Sequence, residues 1–208
     1  MFKVVSIESD FISLEPSFSG LIEKNRGLHV PGRNATLPFL LDKDLSLINT
    51  AIKKKVNYLS LSYVRSKEDI QEVKKILKDK EDITIIAKVE TSLAVKNLDS
   101  ILDEISIINV DRGDLSSEVG ILNIAKNQSK ILTIAKNRNK TVYLATQFLK
   151  NMEVNPTPLI SEIVSLSHSI DMGISGIQLS EETAVGRYPT QCVKLVFDVY
   201  KDSLSQLR

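Results

Sequence analysis

The chain has 208 residues, with 27 Lys+Arg balanced against 26 Asp+Glu, so charge gives no argument for nucleic acid or an anionic membrane as a partner. A single cysteine, Cys192, excludes an internal disulfide and a cysteine-built zinc cluster. A hydrophobic fraction of 42% is enough for a folded core, no apolar run approaches the ~18 residues of a membrane span, and the acidic opening MFKVVSIESD lacks a secretory apolar stretch, so a cytoplasmic, reduced setting is expected.

Residues 1–27 differ from the rest. Phe2–Ile7 and Phe11–Leu14 are β-prone runs separated by Glu8-Ser9-Asp10, which predicts a short antiparallel ribbon that needs something to pack on. Gly27 to Pro38 holds two glycines and two prolines and reads as a linker. From Asp42 the pattern becomes regular. Asp42 is placed to cap a helix over about 43–55, followed by a strand over 58–64. Ser66 then opens a helix over 67–79 with Ile70, Val73 and Ile76 on one stripe. Strands are expected at 83–90, 105–110, 141–145 and 176–179. Helices are expected at 92–103, about 117–137, 161–171 and 190 to about 204.

Alternating strands and helices, with strands apolar on both faces, predict a parallel sheet wrapped by helices. No G-x-G-x-x-G follows the first strand, which argues against a dinucleotide-binding sheet. Polar residues instead collect at the strand C-terminal ends: Arg65, Lys88 with Glu90, Arg112 with Asp114, Thr146 with Gln147, and Ser180 with Glu181 and Glu182. That is the chemistry-bearing face of a (β/α)8 barrel, although only about five βα units are counted where a closed barrel has eight.

Lys88 and Glu90 lie two apart on a strand and so project to one side. Glu90 and Asp114, from adjacent strands, offer hard oxygen ligands for one divalent cation such as Mg²⁺ or Mn²⁺. Lys88 beside them suits a phosphoryl group or an enolate oxygen. Gly113 allows backbone N–H groups to come close to an anion, and Thr146 supplies a hydroxyl. Each pattern alone has a plainer reading: a surface ion pair for Lys-x-Glu, a solvated turn for Arg-Gly-Asp. Their recurrence at the same end of successive strands argues for a site. His29 and His168 have no ligand-spaced partner and are read as structural or exposed. Cys192 is read as packing, and Lys53-Lys54-Lys55 as an exposed helix end.

In this order the motifs resemble those of the pyruvate kinase family. Ser62-Tyr63-Val64-Arg65 is similar to its Ser-Phe-Val-Arg, and Ala87-Lys88-Val89-Glu90 to Ser-Lys-Ile-Glu. Asp111-Arg112-Gly113-Asp114-Leu115 with Glu118 resembles Ala-Arg-Gly-Asp-Leu-Gly-x-Glu, and Ala145-Thr146-Gln147 with Met152 resembles Ala-Thr-Gln-Met-Leu-x-x-Met. Leu179-Ser180-Glu181-Glu182-Thr183-Ala184 with Gly186 and Tyr188-Pro189 resembles Leu-Ser-Gly-Glu-Thr-Ala-x-Gly-x-Tyr-Pro. The resemblance implies an incomplete TIM (β/α)8-type barrel over 28–208, with 1–27 as a remnant of the family's β lid domain. It implies Glu90 and Asp114 as Mg²⁺ ligands, Lys88 as the group facing the phosphoryl and the enolate, and Thr146 near the methyl carbon that exchanges a proton. Backbone N–H groups of Arg112, Gly113 and Asp114 would hold the carboxylate of a 2-oxo acid or phosphoenolpyruvate.

Departures from the family pattern are expected to matter. The first three barrel strands, with the residues for phosphate and K⁺, most of the lid and the C-terminal domain have no counterpart in these 208 residues. Asp111 stands where the family has alanine, Glu181 where it has glycine, and Ala87 where it has serine. Arg65, Asp111, Glu118 and Glu181 are therefore the less certain members of the site. Three readings follow. One is a phosphotransferase domain using phosphoenolpyruvate, Mg²⁺ and ADP that needs a partner for activity. Another is metal-dependent enolisation, decarboxylation or lyase chemistry on a 2-oxo acid, and the last a non-catalytic binding or assembly subunit. Open sheet edges predict association with another copy or a complementary chain.

Overall fold

The structure, a computed structural model, describes residues 2–22, 24, 29–32, 36–78 and 82–206. The expected boundary at 27/28 and part of the linker lie outside these residues. At the N-terminus β1 (Phe2–Ile7) and β2 (Ile12–Pro16) pair antiparallel, with the register shifting between Val4 and Ser6. The ribbon forms as its composition predicts, yet Phe2, Val4, Val5, Ile7, Ile12 and Leu14 all remain exposed.

The second sheet has five strands, β3 (Tyr58–Leu61), β4 (Thr84–Val89), β5 (Ile107–Asp111), β6 (Thr141–Ala145) and β7 (Gly176–Gln178). Every neighbouring pair is parallel and the spatial order equals the chain order. A doubly wound sheet would reverse its strand order at a switch point. Strictly sequential parallel strands are the arrangement of a barrel wall, here five strands of an incomplete (β/α)8-type barrel accompanied by the small ribbon. The intervening helices are α1 (Asp42–Lys54), α2 (Lys67–Leu77), α3 (Ser92–Lys96), α4 (Leu98–Glu104), α5 (Arg112–Val119), α6 (Ile124–Asn137), α7 (Ile160–Asp171), α8 (Glu181–Ala184) and α9 (Pro189–Gln206).

Burial alternates along β4 and through most of β6, and strand register extends the same two faces, which the sequence makes look alike, across β5. Ile85, Ala87 and Val89 of β4, Ile108 and Val110 of β5, and Val142 and Leu144 of β6 are buried. They share one core with helix residues Ile70, Val73, Leu98, Ile101, Leu102, Ile131, Ala135 and Leu166. The opposite, inner face carries Ile86 and Lys88, Asn109 and Asp111, and Tyr143, the set that points into the lumen of a closed barrel. Tyr58 on this face keeps 62% of its surface exposed.

Several element ends differ from expectation for identifiable reasons. The strand expected through Val64 stops at Leu61, because Tyr63 takes a left-handed φ of 55°. The long helix expected over 117–137 is two, divided at Gly120 (φ 82°) and a 3-10 turn at Ile121–Asn123. Its first part also begins earlier, so Arg112-Gly113-Asp114 is the opening turn of α5 rather than a loop. Asp42 lies inside α1, whose N-terminus is closed by Asp44 accepting the Leu41 N–H at 2.9 Å. The helix expected over 92–103 divides at Asn97, whose side-chain amide donates to the Arg65 carbonyl at 2.9 Å.

Candidate active site

The polar strand ends come together. Lys88 is on β4 and Glu90 directly follows it. Asp111 ends β5 and Asp114 is in the first turn of α5, while Thr146 follows β6. Parallel pairing sets Lys88 opposite Asn109, so Asp111, two residues further along β5, shares the inner face with Lys88. Carboxylate oxygens of Glu90, Asp111 and Asp114 lie within 4.8 Å of one another. One ammonium answers them: Lys88 Nζ pairs with Glu90 Oε1 and, at 3.2 Å, with Asp111 Oδ2.

Each acid is held by a different element. Glu90 is fully buried, and its Oε2 accepts the Tyr63 N–H at 2.7 Å. The left-handed turn at Tyr63 directs that N–H, and the Tyr63 hydroxyl donates to Asp114 Oδ1 at 3.3 Å. Asp111 Oδ1 accepts the Gly113 N–H at 3.2 Å, capping α5. The Thr146 hydroxyl lies 3.1 Å from the same oxygen and 2.6 Å from the Ala145 carbonyl, so its one proton serves either acceptor. Gly113 N–H also donates to Thr146 Oγ1 at 2.9 Å. Thr146 and Gln147 both have positive φ, 69° and 55°. For a β-branched threonine that conformation is strained, and such strain collects at functional positions.

Burial raises the Glu90 pKa above the usual carboxylate range, with Asp114 adding to it and Lys88 and the Tyr63 N–H opposing. Burial also works against the Lys88 ammonium, but Glu90 and Asp111 outweigh it and keep the lysine more basic than usual. The Tyr63 hydroxyl is pushed up to about 12 by burial and by the negative charge of Asp114 and Glu90. Glu90 is thus buried beyond what Lys88 and the Tyr63 N–H offset. A hard divalent cation is what such an oxygen set accommodates.

Arg112 turns its side chain away from the acids. Its guanidinium lies over the Phe148 ring at 3.8 Å and its Nε donates to the Thr146 carbonyl at 3.0 Å. Burial brings its pKa down to about 10. Arg65 bonds through Nη2 to Asp69 Oδ1 at 2.8 Å and through Nη1 to the Leu37 carbonyl at 2.7 Å, which ties the incoming linker to α2. Glu118 accepts N–H bonds from Gly32 and Ser92, both at 3.2 Å, and pairs with His29 at 3.0 Å. Glu181 is exposed at the start of α8. Its neighbour Glu182 is fully buried and accepts N–H bonds from Ser180 at 2.8 Å and Leu149 at 3.2 Å, joining the segments after β6 and β7.

Sequence reasoning passed over Tyr63 as a contributor and treated Glu182 only as part of a polar strand end. Nothing local marks Tyr63, since its role depends on a positive φ and on two partners far along the chain. Glu182 has no distinguishing local signal either, since one of the two N–H groups its carboxylate accepts from belongs to Leu149, on the segment after β6.

Comparison with known proteins agrees with this arrangement. Residues 1–193 match the family model described as pyruvate kinase, barrel domain. The chain is 36% identical over 195 residues to the pyruvate kinase of Methanocaldococcus jannaschii, covering 93% of this chain and 44% of that protein. It is 32% identical over 197 residues to the enzyme of Candida albicans (94% and 39%) and 30% identical over 202 residues to that of Chlamydia muridarum (96% and 42%). The chain thus spans about two fifths of the length of these relatives. With the family model matched through β7 and into α9, and the strand-end acids and lysine gathered on one face, the chain belongs to the pyruvate kinase family.

Proposed function

We propose that the strand-end cluster is the divalent-metal part of a site acting on phosphoenolpyruvate or pyruvate, in a phosphotransferase domain that uses ADP/ATP. The observation that carries this reading is the meeting of Lys88, Glu90, Asp114 and Thr146 at one end of adjacent parallel strands. Glu90 and Asp114 would hold Mg²⁺ or Mn²⁺. Bound there, the ion supplies Lewis-acid stabilisation of negative charge on substrate oxygens.

The chain's own residues do the rest. Lys88 places a positive charge where an enolate oxygen or a transferring phosphoryl group develops its negative charge, and phosphoryl transfer depends largely on such positioning. N–H groups in the first turn of α5 would donate to an anionic group of the substrate. The Thr146 hydroxyl, held between Asp111 and the Ala145 carbonyl, carries a proton to or from the methyl carbon. In the enolisation half of the reaction a methyl C–H bond breaks, its proton passes to the Thr146–Asp111 pair, and the electron pair moves onto the carbonyl oxygen beside Lys88. Return of a solvent deuteron completes the exchange.

Residues 1–27 are taken as the end of a lid and 28–208 as barrel. Completion of the barrel wall by a second copy or a complementary chain, in a cytoplasmic setting, belongs to the same proposal, as does absence of the family's K⁺ site. Metal-dependent chemistry on a 2-oxo acid without nucleotide is the second reading, favoured by Asp111, which crowds the site with a third acid. Manganese EPR and pyruvate methyl-exchange NMR test the common part. Saturable Mn²⁺ binding and deuterium incorporation are expected, with Glu90→Ala losing the metal and Lys88→Ala losing exchange. Wild-type protein that binds no Mn²⁺ overturns both readings, and phosphoenolpyruvate–ADP turnover separates the first from the second.

A further inference from the structure

The donors that face the inner strand end are few. Lys88 Nζ, the Gly113 N–H and the Thr146 hydroxyl all come within hydrogen-bond distance of one group, the carboxylate of Asp111, although each also has a nearer acceptor, Glu90 Oε1, Thr146 Oγ1 and the Ala145 carbonyl respectively. Oδ2 is 3.2 Å from Lys88, while Oδ1 is 3.2 Å from the Gly113 nitrogen and 3.1 Å from Thr146 Oγ1. Asp111 is buried at 7% exposure, so this carboxylate is a fixed part of the site and not a side chain swinging in solvent.

From this geometry we infer that Asp111 is a specificity-determining residue, an internal anion that occupies the subsite for the negative group of the ligand. This inference rests on the reading of the site as one for a 2-oxo acid. A small carboxylate arriving there meets donors that are already satisfied and a negative charge already in position. It binds only by displacing Asp111 from an ammonium, an N–H and a hydroxyl at once. The chain as it stands is therefore a weaker receptor for a free 2-oxo acid than the same chain without Asp111, since removing this carboxylate takes away the charge an incoming anion meets and leaves three donors with one acceptor fewer each. Because the set contains no metal, the effect does not need a bound ion to be seen.

Pyruvate binding to the wild-type chain, Asp111→Ala and Asp111→Asn tests the inference, using saturation-transfer NMR on the methyl signal without metal and paramagnetic relaxation of the same signal with Mn²⁺. Asp111→Ala should bind pyruvate at least about tenfold more tightly than wild type in both arms, a single unit charge at contact being easily worth that much. Asp111→Asn keeps an acceptor for the Gly113 N–H and so preserves the cap on α5. It should gain less than Asp111→Ala but still bind more tightly than wild type. Equal pyruvate affinity in folded wild type and Asp111→Asn, or a loss in both variants, overturns the inference. Failure of wild type to bind Mn²⁺, with the metal-free gain intact, would instead overturn the metal-site reading and leave the role of Asp111 standing.

Discussion

Lys88→Met removes the ammonium shared by Glu90 and Asp111 while keeping most of the side chain's apolar volume. At 3.2 Å the Lys88–Asp111 attraction alone is about 5 kcal/mol at an effective dielectric near 20, before desolvation is subtracted. Breaking a buried pair typically costs ~3–5 kcal/mol. The Lys88 side chain keeps 18% exposure, so the lower end, about 3 kcal/mol, is expected. In a chain of this size that lowers Tm by roughly 6–12 °C. Scanning calorimetry in EDTA at pH 8 measures it.

The deficit should itself depend on pH and on metal. Without Lys88 the Glu90 pKa, already raised by burial, rises further. A carboxylate whose folded pKa exceeds its unfolded value holds a proton that unfolding releases, so stability is greatest below the unfolded pKa and falls as pH climbs through the folded one. Lys88→Met should therefore approach wild type toward pH 5 and fall behind toward pH 8. Mn²⁺ should raise Tm more in the variant than in wild type, since the ion no longer competes with an ammonium; a tenfold gain in affinity adds about 1.4 kcal/mol at saturating metal. A variant whose Tm in EDTA stays within about 2 °C of wild type at pH 8, against the fall expected from its lost pairs, would refute the reasoning. So would a Mn²⁺ increment no larger than in wild type.

Three further outcomes follow from other contacts in the structure. Gly186→Ala would drive a Cβ to 2.4 Å from the Glu182 carbonyl oxygen, and backbone cannot yield as a side-chain tip can, so urea unfolding should show a loss of about 2 kcal/mol or more. Gly113→Ala meets nothing closer than 3.4 Å and sits in a helical turn, where alanine is favoured, so the same titration should stay within about 1 kcal/mol of wild type. Glu118 is held below the usual carboxylate pKa; burial opposes this, but the N–H groups of Ser92 and Gly32, the Ser92 hydroxyl and His29 outweigh it. Its contribution is present above the unfolded carboxylate pKa and is lost as pH falls through the lower folded value. The stability gap between wild type and Glu118→Gln, about 1–2 kcal/mol at pH 7, should thus narrow toward pH 3, and a gap unchanged with pH would count against the assignment.

The positions of Lys88, Glu90, Asp111 and Thr146 were readable because strand ends are marked twice, by the end of an apolar run and by the polar residue that follows it. Period two then places Lys88 and Glu90 on one side without any structure. What local pattern could not carry is the backbone sign at Tyr63, Thr146 and Gln147. Positive φ at a tyrosine, a threonine and a glutamine contradicts residue preference, and only long-range bonds such as Tyr63 N–H to Glu90 hold it. The same limit applies to the Arg112 side chain. At a strand end beside an acid it reads as an ion-pairing group, whereas the Phe148 ring and the Thr146 carbonyl, both more than thirty residues away, decide where it points. Gly120, by contrast, was a local signal within reach, since an exposed glycine inside a helical pattern is a stop.

The two faces of the sheet divide the work in a way that bears on how this sequence diverged. The face toward the helices is closed by Ile85, Ala87, Val89, Ile108, Val110, Val142 and Leu144 and supplies the core. The inner face contributes little apolar burial, and its strand ends carry the acids. Substitutions on the inner face therefore test function while leaving the main source of stability intact. Asp111 fits that division. A buried carboxylate would be severely destabilising among the apolar side chains of the helix-facing layer. At the inner strand end it costs far less, because an ammonium, an N–H and a hydroxyl already converge there to receive a negative group. Asp111 thus sits where its charge is answered locally, and in being answered it takes up donor capacity that an incoming anion would otherwise use.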